Sequence, residues 1–221
     1  MILTISQTSS NTKQEYDIFG ENFYCQGKLG NLHRFQKITL SNKETTLSGT
    51  HRLNKWVNYI PFRYLFGSPN LTRLFNLSQN DSSYGSIVFS RHGIYESFYV
   101  ITLNCGKILH CYYTSKGSFD YISIYSADQQ IALIETYLNV NNYLYTHKLY
   151  ILDDYHEFSD ILSFFVLYYA NFNFSKRFHM SMSSVSEKSW TFSKYNNKYN
   201  PNWRKLHFPN EDFFGKINRF D

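Results

Sequence analysis

Asp153, Asp154, His156 and Glu157 are the residues best equipped for chemistry, four ionisable side chains crowded into one short stretch. Carboxylates and imidazole are the common ligands of divalent metals and the common general acids and bases, so a site at this position is the sharpest enzymatic reading of the chain. A simpler use competes with it. The cluster stands directly before a long apolar run, and Asp154 followed three residues later by Glu157 has the pattern of a capping box, Asp154 as N-cap and Glu157 reaching back. Capping accounts for the same residues with less, so no catalytic and no metal-ligating residue is assigned. His110 and Cys111 are adjacent on a predicted strand, where neighbours face opposite sides, and do not make a dyad. Cys25, Cys105 and Cys111 form no CxxC pair, which supports neither a disulfide framework nor a zinc site. No Walker loop, GxGxxG, HExxH or GxSxG occurs, and Gly27-Lys28-Leu29-Gly30 reads as a hairpin turn. No cofactor is expected.

The second candidate lies near the C-terminus. Nine of the 22 Lys/Arg but only four of the 17 Asp/Glu follow Phe174, so the first 174 residues hold thirteen of each and the whole +5 excess sits in 175–221. Aromatic side chains interleave with this charge: Trp190, Tyr195, Tyr199, Trp203 and Phe208 among Lys188, Lys194, Lys198, Arg204 and Lys205. Lys194, Lys198, Trp203, Arg204 and Lys205 are the candidate ligand-binding residues. Rings at headgroup level beside basic side chains suit an anionic membrane surface, and rings that stack on bases beside backbone-directed charge suit single-stranded nucleic acid. The same aromatics could instead pack on the rest of the protein. Asn210 as N-cap, acids at 211 and 212, and Phe213, Phe214, Ile217 and Phe220 on one face predict a short terminal helix.

Something must carry these groups, and the stretch 158–174, FSDILSFFVLYYANFNF, organises it. From 161 to 170 the run is apolar all round, which a surface helix is not, and it falls short of the roughly 20 residues that span a bilayer. The spacing predicts a buried helix over 157–172. Before it, runs rich in β-branched and aromatic residues recur at 84–89, 98–103, 107–113, 119–125, 131–138 and 143–152, separated by turn-forming residues. The runs 1–5, 16–19, 23–26, 34–40, 45–51 and 57–66 repeat this, with a single helical turn predicted around Leu71, Leu74 and Phe75. About twelve antiparallel strands either close or leave edges. A closed barrel of that width exceeds what its own side chains can fill, since about eight strands already suffice for that, and the helix is the filler.

Four segments carry a family resemblance: YDIFGENFYCQG (16–27), GSIVFSRHGIYESFYVITLNCGKIL (85–109), FDYISIYSADQQIALIETYL (119–138) and DDYHEFSDILSFFVLYYANF (153–172). Together they resemble the tubby C-terminal-like superfamily, which includes tubby, the LURP-one-related proteins, the phospholipid scramblases and many bacterial proteins. The resemblance implies a closed antiparallel barrel of about twelve strands around a central hydrophobic helix, spanning 1–174, with 175–221 as a basic aromatic extension. It further implies a non-enzymatic binding module for anionic phospholipid or a partner protein. Nucleic-acid binding by the extension, or an enzyme at the barrel mouth, are the alternatives. The N-terminus lacks a basic patch followed by an apolar run, so a cytoplasmic setting, with peripheral membrane association, is expected.

Overall fold

The computed structural model of the protein describes residues 1–10, 13–30, 37–51, 70–92, 96–116, 119–138, 144–174 and 195–211. Twelve strands follow one another: β1 (Ile2–Ser10), β2 (Lys13–Gly20), β3 (Phe23–Gly30), β4 (Lys37–Ser41), β5 (Thr46–His51), β6 (Asn70–Gln79), β7 (Ser82–His92), β8 (Glu96–Leu103), β9 (Ile108–Lys116), β10 (Phe119–Ser126), β11 (Gln129–Leu138) and β12 (Tyr145–Ile151). Each pairs antiparallel with the next, and β12 returns to β1 through the register Ile2↔Tyr150 to Ser6↔Thr146, closing the barrel. Closure leaves no sheet edge to satisfy. Asn80 and Asp81, both at positive φ, make the two-residue turn between β6 and β7 that suits the twist of a hairpin.

Alternation decides which face is which. β4 reads exposed, buried, half-buried, buried, half-buried along KITLS, with Ile38 and Leu40 inward, and the same period puts Leu3, Ile5, Ile18, Leu29, Phe75, Ile87, Ile101, Leu109, Ile122, Ile134 and Leu149 into one core. The core closes on α1 (Ser159–Phe174). Every residue from 161 to 170 is buried, Ser163 included. The helix is not centred by symmetry: its neighbours on one side are β3, β4 and β5, where glycines make room. A Cβ on Gly27 would sit 2.5 Å from Leu167 Cδ1, and a Cβ on Gly49 would collide with the ring of Phe75 and stand 2.9 Å from Phe164. The rings of Tyr99, Phe165, Tyr168 and Tyr169 fill space elsewhere, with Tyr99 edge-on to the other three at centroid distances of 5.4, 6.0 and 6.1 Å.

Several expectations need correction. Leu71, Leu74 and Phe75 belong to strand β6, not to a helical turn. Gly27-Lys28-Leu29-Gly30 is the second half of β3, not a hairpin turn, because Gly27 is there to admit Leu167 rather than to reverse the chain. The buried helix begins at Ser159, after a 3₁₀-helical turn over Asp153–Phe158 whose N-cap is Leu152 and which has no side-chain cap. The Asp154–Glu157 capping box is therefore not what starts it. The predicted strand 57–66 and all but the first residues of the terminal helix lie outside the described residues.

Two measurements check this packing. Val166→Asp puts a carboxylate where no rotation of the helix reaches water, a cost of several kcal/mol against a total stability of about 5–15, so the expected product is insoluble or unfolded. Gly49→Ala overpacks the Phe75–Phe164 contact and should cost about 1–3 kcal/mol in a denaturant melt. A soluble, cooperatively melting Val166→Asp protein would overturn the enclosure of α1.

His147 supplies a second check. It lies on the inward face of β12, fully buried, with Nδ1 2.9 Å from Thr136 Oγ1. Burial pushes its pKa down to about 3 from the ordinary 6.5. Between those values the unfolded chain binds the proton and the folded one does not, so stability falls as pH falls through this window, by up to about 1.4 kcal/mol per pH unit. Glu135 and Asp160, both pushed upward chiefly by burial, act in the opposite sense. Comparing wild type with His147→Gln isolates the imidazole: the variant's melting temperature should fall less steeply between pH 6.5 and 5. Equal slopes would mean that His147 is not held neutral.

Candidate functional site

The cluster at 153–157 does not assemble a reaction centre. Asp153 Oδ1 accepts from the Met1 ammonium at 2.7 Å, and that ammonium also donates to Ile151 O at 2.9 Å. The amine holds the Asp153 carboxyl below the usual carboxylate range. His156 Nδ1 stands 3.0 Å from Asp153 O, and His156 and Glu157 are both exposed. These contacts tie the chain's first residue to the connection between β12 and α1. Among the described residues no group of three or more His, Cys, Asp or Glu side chains is placed to share a metal ion. Cys25 and Cys111 are buried in the core, where burial raises the thiol pKa, to about 12 for Cys25, so the nucleophilic thiolate is disfavoured. Cys105 is exposed in the turn after β8.

The described part of the extension, residues 195–211, is docked on the barrel. With a 3₁₀-helical turn at Asn196–Lys198 and the single-turn helix α2 (Trp203–His207), it lies as a strap across the outer face of β9–β12. Alternation lapses beneath it: 121–124 and 131–136 are buried throughout, because one face meets the core and the other meets the strap. Tyr121, Leu133, Tyr150 and Trp203 form a hydrophobic cluster of their own, joined by Ile2, Leu152, Tyr199 and Phe208. The Tyr121 and Tyr199 rings are 4.6 Å apart, and the Phe208 ring is 5.3 Å from Tyr150 and 5.8 Å from Trp203. Further along, Tyr195 meets Tyr112 at 4.9 Å and Phe98 at 5.6 Å, and Tyr125 Oη donates to Lys198 O at 2.8 Å.

Charge completes the contact. Arg204 Nε lies 3.4 Å from Glu135 Oε1, both side chains buried, and Tyr150 Oη donates to Glu135 Oε2 at 3.3 Å. Lys148 Nζ is 2.8 Å from Glu211 Oε2, and Arg204 Nη1 donates to Glu211 O at 2.8 Å. Glu135 faces Lys148 across the β11–β12 ladder. Burial lifts the Glu135 pKa, against the opposing pull of Arg204, Tyr150 and Lys148.

The five candidate ligand residues thus have different positions. Trp203 and Arg204 are turned into the wall; Lys198 is half-buried, with Nζ 5.1 Å from the Tyr125 ring centroid and 5.8 Å from that of Tyr112; Lys205 is exposed; Lys194 lies outside the described residues. Sequence reasoning missed Glu135, Tyr121 and Tyr150, the residues that receive the strap. The signal was present in IALIETYL, an acid two residues after Leu133, which is apolar and faces the same outer side of the strand. Elsewhere on the outer wall a shallow groove of about 350 Å³ is lined by Lys37, Thr39, Thr46, Ser48, Asn80 and Asp81, a polar and open surface.

In comparisons with known proteins, no family model, no curated protein and no solved structure matches the chain. No helix among the described residues is long and apolar enough to cross a membrane.

Arg204→Ala leaves Glu135 under the strap without the guanidinium and should destabilise the protein by about 3–5 kcal/mol, less if the strap undocks and lets water reach the carboxylate. Glu135→Gln in the same background should recover part of that loss in urea melts. If Arg204→Ala alone were neutral, the buried ion pair would not be what holds the strap.

Proposed function

We propose that the protein is a non-enzymatic, tubby-like interaction module that engages anionic phospholipid headgroups through the outward side of its strap. The observation that carries this reading is on α2. Leu206 is 75% exposed between the exposed Lys205 and His207, while the helix's other side is spent on Trp203 and Arg204. A leucine held out beside a lysine matches a membrane interface, where apolar insertion and headgroup attraction add. The positive excess of 175–221 works in the same direction.

Two further points support a binding module. α1 occupies the barrel's interior, so recognition falls to outer surfaces, and two of the three thiols, Cys25 and Cys111, are raised away from the thiolate by burial. The nucleic-acid alternative is weakened by the placement of its stacking rings: Trp203 is buried and Tyr199 packs on Tyr121. An acidic partner protein would use the same Lys205–Leu206–His207 edge and is the alternative outcome of the test.

Flotation with phosphatidylcholine vesicles, with and without phosphatidylserine, decides. Binding should require the anionic lipid, weaken with salt, and fall about fivefold for Lys205→Ala, the loss of about 1 kcal/mol expected of one lysine near an anionic surface. Leu206→Asp should abolish it while leaving the melting temperature unchanged. Wild-type protein that stays with the unbound fraction on anionic vesicles at low salt would overturn the lipid reading.

A further inference from the structure

The strap and the wall are complementary in a way that does not require them to belong to one molecule. The wall offers an acid and a base side by side, Glu135 on β11 opposite Lys148 on β12, and the strap answers with a base and an acid, Arg204 and Glu211, so that the ion pairs cross the contact in opposite senses. The apolar part is equally self-contained. Tyr121, Leu133 and Tyr150 from the wall and Trp203 from the strap form a cluster separate from the core that surrounds α1. Crossed charge around an aromatic anchor is how two independently stable surfaces recognise one another. The barrel's closure and its filling by α1 involve no residue of the strap.

Chain length allows the strap a choice of wall. Phe174, the end of α1, and Tyr195, the first described strap residue, are separated by residues 175–194, a contour of up to about 70 Å at the extended-chain limit of 3.3–3.6 Å per residue. That is about twice the length of the longest of the barrel's own strands, which at 5–11 residues and about 3.3 Å per residue reach roughly 35 Å at most. We propose that the outer wall of β9–β12 is a docking site for the 195–211 segment of a second copy of this chain, so that two molecules exchange straps into a reciprocal dimer. In the exchanged dimer each wall keeps the contacts it has in the monomer. The balance between the forms is then set by the effective concentration that the tether gives the strap on its own wall, against the concentration of the second copy.

Charge reversal separates exchange from self-docking. In Glu135→Arg the wall opposes the chain's own Arg204, and in Arg204→Glu the strap opposes the chain's own Glu135. When the two full-length variants are mixed, both pairs are restored only across molecules. The expected result by light scattering on a sizing column is a one-to-one heterodimer in the mixture at concentrations where each variant alone is monomeric. The double variant Glu135→Arg/Arg204→Glu, which restores the pair within one chain, should remain monomeric at the same concentration. A mixture that elutes as monomers at every concentration reached would overturn the proposal.

A milder arm does not depend on either reversal folding. Full-length Arg204→Gln, whose own strap has lost its cation, is titrated with a fluorescent synthetic peptide of residues 195–211. Saturable binding of the wild-type peptide, at least tenfold tighter than that of the peptide carrying Arg204→Glu, supports a wall that accepts the segment from another molecule. Equal binding of the two peptides, or none of either, would also overturn it.

Discussion

A twelve-stranded closed sheet is wider than its own inward side chains can fill, and everything else in this molecule follows from how that space is occupied. The occupant is a helix without a polar face, which water would not tolerate and which the barrel's apolar inner surface encloses. The enclosure is not uniform. On the β3–β5 side the wall gives up side chains at Gly27 and Gly49, where Leu167 takes the first space and Phe75 with Phe164 the second, and elsewhere the ring of Tyr99 reaches inward to α1. Large residues and absent ones are thus two halves of one packing solution, in an interior that needs crystal-like density to hold a single arrangement.

The outer wall shows the reverse problem. Most outward positions are polar or charged, as the free face of an antiparallel sheet should be, but β9–β12 carry Tyr112, Tyr121, Tyr125, Leu133 and Tyr150 outward. An aromatic patch of this kind calls for a cover, and the chain supplies one from its own C-terminal part. Covering it also buries Glu135. Desolvation of a lone carboxylate would cost more than the aromatic contact returns, so the cover has to bring a cation to the same spot, and Arg204 lies over Tyr150 with its Cζ 5.9 Å from the ring centroid while its Nε faces Glu135. Apolar and ionic complementarity are therefore not independent here: the residue that neutralises the acid also stacks on the patch.

The barrel and its filling were legible because each has a local signature. Runs rich in β-branched and aromatic residues between turn formers fall on eleven of the twelve strands, and the all-round apolar stretch at 161–170 marks the filler, without any tertiary information. Leu71, Leu74 and Phe75 misled because a strand that alternates imperfectly, with Leu74 half-buried beside the inward Phe75, reproduces helical spacing by chance. Gly27 and Gly30 read as a turn because local sequence cannot distinguish a glycine needed for chain reversal from one needed for space. The candidate ligand residues were chosen on composition, the interleaving of rings with basic groups, and composition does not say which side of a segment faces the protein. Trp203 and Lys205 are two positions apart and point to opposite environments. Only Glu135, an acid two residues after the outward Leu133 on the same strand, gave notice of a partner.

The first and last strands are hydrogen-bonded to one another, and the terminal amine reaches the carboxylate of Asp153. During synthesis this means that β1 waits for β12 while about 130 residues are added, at 5–20 residues per second or so, and that the filler emerges later still. Until then the growing sheet presents two unpaired edges and an inner surface lined with isoleucine, leucine and phenylalanine. Contacts so distant along the chain form slowly even in a complete polypeptide. The price of an edgeless, plugged barrel is thus a long interval in which it is neither edgeless nor plugged, and the cell's holding chaperones are the machinery suited to shielding it over those seconds.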